Sequence, residues 1–272
     1  MTDIHAQPDP ERRKVFGEVA EQYESARPGY PEQLVDDVLE FAGPQGRDAL
    51  EVGAGTGKAT LAFAARGVRL TCVEPDPRMA AVLERKTAGL GGVTVVAGEF
   101  ESWPRPARRR FGLLLSAQAW HWVDPVLRWE LAKAALVPGG AVALFWNDWY
   151  LSEDALREEV IEAHLRQLGE LPDHSILDAR PRESVMGDYD WVWEELRADR
   201  GFAGLTHRRY VTEHVRSTAG TVDLLTSLSF YRRLPPDTRA ALLAEVASLV
   251  DAHGGAVRMT TTTGLFLART VG

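Results

Sequence analysis

The chain has 272 residues, 45% hydrophobic and 26% charged, with a formal net charge of −8. That length allows one large domain, or one domain with a sizeable insertion, and the acidic balance speaks against a nucleic-acid-binding surface, which needs clustered Lys and Arg. No apolar run approaches the ~20 residues of a membrane helix, and the single cysteine, Cys72, excludes an internal disulfide and accords with a reducing cytoplasm.

Residues 1–14 are polar and lack the apolar stretch of a secretory signal, so they are expected to form a frayed tail. Residues 15–23 have helical spacing. Arg27-Pro28-Gly29-Tyr30-Pro31 breaks the pattern, because each proline forces extended or turn geometry before it. A second amphipathic helix is expected over 32–41, stopping at Gly43-Pro44.

Short apolar runs then alternate with helical segments. The runs fall at 49–52, 70–73, 93–97, 111–116 and 141–146, and the helices at 60–66, 78–87 and 126–136. Runs that are apolar throughout suit strands buried on both faces of a parallel sheet. The alternation predicts a doubly wound, Rossmann-like α/β sheet, mostly parallel. The basic cluster Arg108-Arg109-Arg110 precedes the fourth run, at the end of that strand away from the usual site, and reads as a solvated edge. From 149 to 204 the rhythm stops in an acidic, Trp-rich stretch, read as a helical insertion after the fifth strand. Closing strands are expected at 210–214 and 258–268, the last antiparallel, with a helix over 236–253 between them. The expected division is a tail over 1–14, a core with an N-terminal covering segment over 15–148, the insertion over 149–204, and closing elements over 205–272.

The first strand runs into Glu51-Val52-Gly53-Ala54-Gly55-Thr56-Gly57 and then a helix. Glycines let backbone approach a ligand closely, and the helix start offers free N–H groups. A P-loop needs glycine where Val52 stands, and a dinucleotide fingerprint needs glycine or alanine where Lys58 stands. The second strand ends in Glu74-Pro75-Asp76, which places a carboxylate beside the loop, able to accept two ribose hydroxyls. Gly98-Glu99-Phe100 follows the third strand with an acceptor for an adenine amine. Ser116-Ala117-Gln118-Ala119-Trp120-His121-Trp122 follows the fourth.

These motifs, with Trp103-Pro104 and the upstream Tyr23-x-x-x-Arg27-Pro28-Gly29-Tyr30-Pro31, resemble class I S-adenosylmethionine-dependent methyltransferases. They are most similar to a small-molecule branch that includes trans-aconitate methyltransferase-like enzymes. The resemblance is strong over 16–147 and looser beyond, through Ser227-Leu228-Ser229 and the last strand. It implies S-adenosylmethionine as cofactor. Glu51, Gly53, Ala54, Gly55 and Gly57 would face its methionine portion, Glu74 with Pro75 its ribose, and Met79, Glu99 and Phe100 its adenine. Ala117 and Gln118 would line the methyl-donor cleft, and Tyr23 and Arg27 would close over the cofactor. Glu99 stands where the family more often has aspartate.

His121 is the candidate general base, since histidine titrates near neutrality and this one follows a strand's carboxyl end. The other reading is that His121 and Trp122 close the cleft. Tyr30, Trp122, Trp146, Asn147 and Trp149 are candidate acceptor contacts, with ordinary packing as the alternative for the aromatics. No H-x-x-x-H pair suggests a metal. The expected function is transfer of a methyl group to a small organic molecule, oxygen favoured over nitrogen or carbon, by a cytoplasmic monomer or homodimer without nucleic-acid or membrane partners. The alternatives are a nicotinamide-dependent oxidoreductase and a cofactor-binding module without transfer.

Overall fold

The computed structural model describes residues 27, 29–103, 110–172, 175–178 and 189–271. The expected tail, the helix over 15–23, Tyr23, Arg108 and Arg109 lie outside the described residues. Seven strands form one sheet: β1 (Asp48–Val52), β2 (Arg69–Glu74), β3 (Val93–Ala97), β4 (Phe111–Ala117), β5 (Leu136–Leu151), β6 (Phe202–Ser217) and β7 (Ala256–Thr270). Their order is β3-β2-β1-β4-β5-β7-β6. Strands β1 to β5 are parallel, and β7 runs antiparallel between β5 and β6. This is the doubly wound, mostly parallel sheet with an antiparallel last strand that the sequence predicts.

The helices described are α1 (Glu32–Ala42), α2 (Lys58–Ala64), α3 (Pro77–Thr87), α4 (Arg128–Ala135), α5 (Asp154–Leu168), α6 (Asp190–Ala198), α7 (Thr218–Thr226), α8 (Ser229–Arg233) and α9 (Pro236–Ala252). Helices α5 and α6 separate β5 from β6. Because β5 runs to Leu151 and β6 begins at Phe202, both ends of the expected insertion over 149–204 fall inside strands. Among the described residues no helix is long and apolar enough to cross a membrane.

Strand alternation divides the core into two layers. Leu113, Leu115, Ala143 and Phe145 pack against α1, α2 and α3 through Leu34, Val38, Phe63 and Leu83. Leu114, Val142, Leu144 and Trp146 point to the other face and meet α4 and α6 through Trp129, Trp191 and Leu196. Arg128 and Trp129 tie those two helices together. The Arg128 guanidinium bonds to Glu195 and lies 4.1 Å over Trp191, and Trp129 Nε1 donates to Glu195 at 2.6 Å. A third cluster joins Trp149 and Leu151 of β5 and Met259 of β7 to α5, α7 and α9. The strand order reverses between β1 and β4, and ligands of such sheets bind outside the carboxyl ends at that reversal.

Candidate active site

The turn from β1 into α2 is built on positive φ angles at Gly53 (69°), Gly55 (57°) and Gly57 (90°). Gly53 donates its N–H to Val73 O at 2.8 Å, and a Cβ there would stand 2.3 Å from Ala119 Cβ. The β1 turn and the β4 exit therefore meet in contact, which only glycine permits. Beside Gly55 the nearest atom to an added Cβ is Met79 Cε at 3.8 Å, so that side of the loop is open.

Glu74 fastens the loop to β2. Its Oε2 accepts the Gly55 N–H at 2.7 Å and its Oε1 the Asp76 N–H at 2.9 Å. Glu51 lies behind the loop, 1% exposed. Its Oε2 accepts from Thr60 Oγ1 at 2.6 Å and from Cys72 Sγ at 3.6 Å, while Oε1 is buried with no hydrogen-bond partner among the described residues. Burial raises the Glu51 pKa to about 7, against the bonds from Thr60 and Cys72 that lower it; the nearby Glu74 charge adds to the rise.

The opposite wall comes from β4, β5 and the segment before α1. Gln118 has φ of +61°, the one non-glycine residue with positive φ among the described residues, and its Nε2 donates to Asn147 O at 2.9 Å. Asn147 Oδ1 accepts from Thr263 at 2.6 Å, and its Nδ2 donates to Gly29 O at 3.4 Å. Tyr30 packs edge-on against Phe145 at 4.7 Å. Arg27 lies 5.3 Å over the Trp149 ring and donates to Ser227 O at 3.0 Å, joining the N-terminal segment to the end of α7.

These walls line a solvent-open cleft. Ten expected site residues line it: Arg27, Tyr30, Glu51, Gly53, Ala54, Gly55, Ala117, Gln118, Asn147 and Trp149. Glu74, Pro75, Met79 and Gly57 stand around the loop without lining that space. Glu99 is exposed beyond β3, and Phe100 is 3% exposed and packs on Trp120 at 6.1 Å, as a core residue does.

His121, Trp122 and Trp146 lie elsewhere. Trp146 is fully buried on the sheet face opposite Asn147, stacked on Tyr189 at 4.6 Å. Its Nε1 donates to His121 Nδ1 at 3.2 Å. That bond occupies the acceptor nitrogen of the neutral ring and leaves the proton on Nε2. Trp122 packs against the His121 ring at 4.7 Å.

A methyltransferase-domain model matches residues 49–140, from β1 into β5. An uncharacterized methyltransferase of Mycobacterium tuberculosis is 29% identical over 238 residues, covering 88% of this chain and 86% of its own. The chain is a class I S-adenosylmethionine-dependent methyltransferase. Two solved structures share its fold. A candidate type II methyltransferase from Anaeromyxobacter dehalogenans superposes with a TM-score of 0.65 at 21% identity, over 90% of this chain and 98% of that one. An S-adenosylmethionine-dependent methyltransferase from Thiobacillus denitrificans, in complex with S-adenosyl-L-homocysteine, gives 0.51 at 14% identity, over 96% and 99%.

The methyltransferase cleft also has walls that sequence reading does not single out: Thr56, Lys58 and Ala59, at the start of α2. Lys58 is the residue that breaks the dinucleotide fingerprint, and it faces the ligand space. The bonds from Thr60 and Cys72 to Glu51 depend on β2 lying beside β1 in register, Glu51 opposite Cys72, which no local pattern reveals.

Proposed function

We propose that this methyltransferase transfers the cofactor's methyl group to a small organic molecule, with oxygen the favoured acceptor atom. The observation that carries this reading is the shared cleft, with the glycine loop and Glu51 on one side and Tyr30, Gln118, Asn147 and Trp149 on the other. The fit to the cofactor rests on the open side of Gly55, the Glu74 carboxylate beside the loop, and the buried Glu51 Oε1, without a hydrogen-bond partner among the described residues and suited to accept from the methionine ammonium. Gly53 to Gly55, Glu51 and Arg27 would hold the methionine portion, Glu74 the ribose, and Met79 with Glu99 the adenine.

Bound S-adenosylmethionine supplies an electrophilic methyl group on a sulfonium, so the protein's tasks are orientation and exclusion of water. Gln118 and Asn147 present amide groups to an acceptor from a rigid, mutually bonded pair. Tyr30 and Trp149 supply the apolar walls, and Arg27 closes the cleft by its reach to Ser227.

His121 serves to brace Trp146 rather than to accept a proton, because its lone pair is already engaged. The test is turnover against pH with labelled cofactor, once a screen of hydroxy, carboxy and amino compounds yields an acceptor. His121→Ala should keep the wild-type profile shape and lower thermal stability. A general base would instead give an ascending limb near pH ~6–7 that disappears with His121→Ala, at a cost of ~10²–10⁴-fold in turnover. A screen in which no small molecule is methylated, while a macromolecule is, would overturn the proposed acceptor class.

A further inference from the structure

We propose that the outer edge of β6 is a self-pairing surface, through which two copies of this chain join their sheets antiparallel about a two-fold axis at Val211. Strand β6 spans 16 residues and, among the described residues, pairs on one side only, with β7. From Thr206 to Arg216 its backbone makes no hydrogen bond outside the β7 ladder among the described residues. Open edges are normally blunted by charged side chains, proline, a bulge or short length. Here the only register shift falls between Ala203 and Thr206, the stretch beyond it has no proline, and its charges are of both signs (Arg208, Arg209, Glu213 and Arg216), so they select a partner strand rather than repel every one.

Past the contact of Trp193 with His207, at 5.1 Å, one face of the edge is open. On it Val211 is 52% exposed and Val215 72%, with exposed Glu213 between them. Apolar residues alternating along an unpaired edge are what strand addition uses.

The charges select the register. In an antiparallel pair centred on Val211, each residue faces the one whose number sums with its own to twice the central number. Val211 then meets its own copy, Arg209 of each chain faces Glu213 of the other, and Tyr210 faces Thr212. Two symmetry-related ion pairs flank the axis, on the face that carries Val211. Centring on Thr212 instead would set Arg208 against Arg216, like charges directly opposed, which destabilises a strand pair. Centring on Tyr210 would leave Arg209 facing Val211. The contact is isologous, so it closes at two copies rather than growing into a filament. Strand pairing alone buries little area, so the dimer should be reversible.

Sedimentation velocity on the full chain, across concentrations up to ~100 µM, tests this. The wild type should shift with concentration from the 30.0 kDa chain towards twice that mass. Val211→Lys places two ammonium groups at the axis and should be monomeric throughout. Arg209→Glu and Glu213→Arg should each be monomeric, and the double swap should restore the dimer. Val211 and Glu213 are exposed, so those two variants should fold, and they decide the matter if Arg209→Glu does not. A wild type that stays monomeric at the highest concentration would overturn the proposal. So would a dimer that survives Val211→Lys and Glu213→Arg, or a folded double swap that stays monomeric.

Discussion

Glu51→Gln is expected to stabilise the protein at pH 8 while weakening its hold on S-adenosylmethionine. In the folded chain the Glu51 carboxyl is fully buried, with one oxygen bonded to Thr60 and Cys72 and the other without a partner among the described residues. Burial raises its pKa from 4.5 to about 7. Between those values the folded state binds more protons than the unfolded chain, so stability falls as pH rises through the window and levels off above it. The rise corresponds to about 3 kcal/mol lost by pH 8 relative to acid, at ~1.4 kcal/mol per unit. A glutamine of the same shape carries no charge to desolvate and can still accept from Thr60, though its amide N–H then needs a partner. We expect a net gain of ~1–3 kcal/mol at pH 8, or several degrees in Tm, shrinking towards zero at pH 5, where Glu51 is itself neutral. The ammonium of the methionine portion meanwhile loses a charged acceptor, and affinity should drop ~10-fold or more. Differential scanning fluorimetry at the two pH values checks the first half. An equal Tm difference at pH 5 and pH 8 would remove the buried charge from the explanation.

The other large effect belongs to Trp146→Ala. This ring is fully buried, stacked on Tyr189, edge-on to Trp191 and Phe266, and bonded to His121. Removing it opens a cavity on the face of β5 packed by α6, at a cost of ~3–5 kcal/mol and a Tm drop of about 10 °C. Asn147 and Trp149, the next residues to point the other way, line the cleft. If Trp146 contacted the acceptor, truncation would raise KM and leave the melting curve nearly in place. Denaturant unfolding of the variant beside its KM separates the two.

Trp146 also marks where sequence reading of the site stops short. The apolar run 141–146 is plain, but β5 continues through Asn147-Asp148-Trp149-Tyr150-Leu151, paired along its length with β7. Ending the strand at Trp146 hides the alternation that sends Trp146 and Asn147 to opposite faces. The same strand begins at Leu136, because Pro138-Gly139-Gly140 looks like a turn and becomes strand only through its neighbours. Parallel strands buried on both faces announce themselves by composition, so β1, β2 and β4 were legible to within a residue or two; the edge strand β3 is only half-buried, but its run of valines marks it as well. The edge strand β6 was not. Only 210–214 stood out, since the strand's exposed positions mix Val211 and Val215 with Arg208 and Glu213, and its half-buried ones carry threonine, histidine and arginine. Helices α7 and α8 are short, and the sequence reading passed over them; yet Ser227, between them, anchors Arg27 over the cleft. The glycine loop was legible because positive φ demands glycine wherever the chain passes close to another segment, whatever the tertiary surroundings.

The most direct test of the cofactor site is calorimetric titration of S-adenosylhomocysteine into the wild-type chain and into Glu74→Ala. Glu74 holds the Gly55 and Asp76 N–H groups, and it is the carboxylate proposed to meet the ribose. The wild type should bind one equivalent, and the variant should bind ~10–100-fold more weakly, the cost of losing charge-assisted bonds worth about 1–3 kcal/mol. No heat of binding to the folded wild type, or equal affinity in the two proteins, would contradict the placement of the cofactor in this cleft.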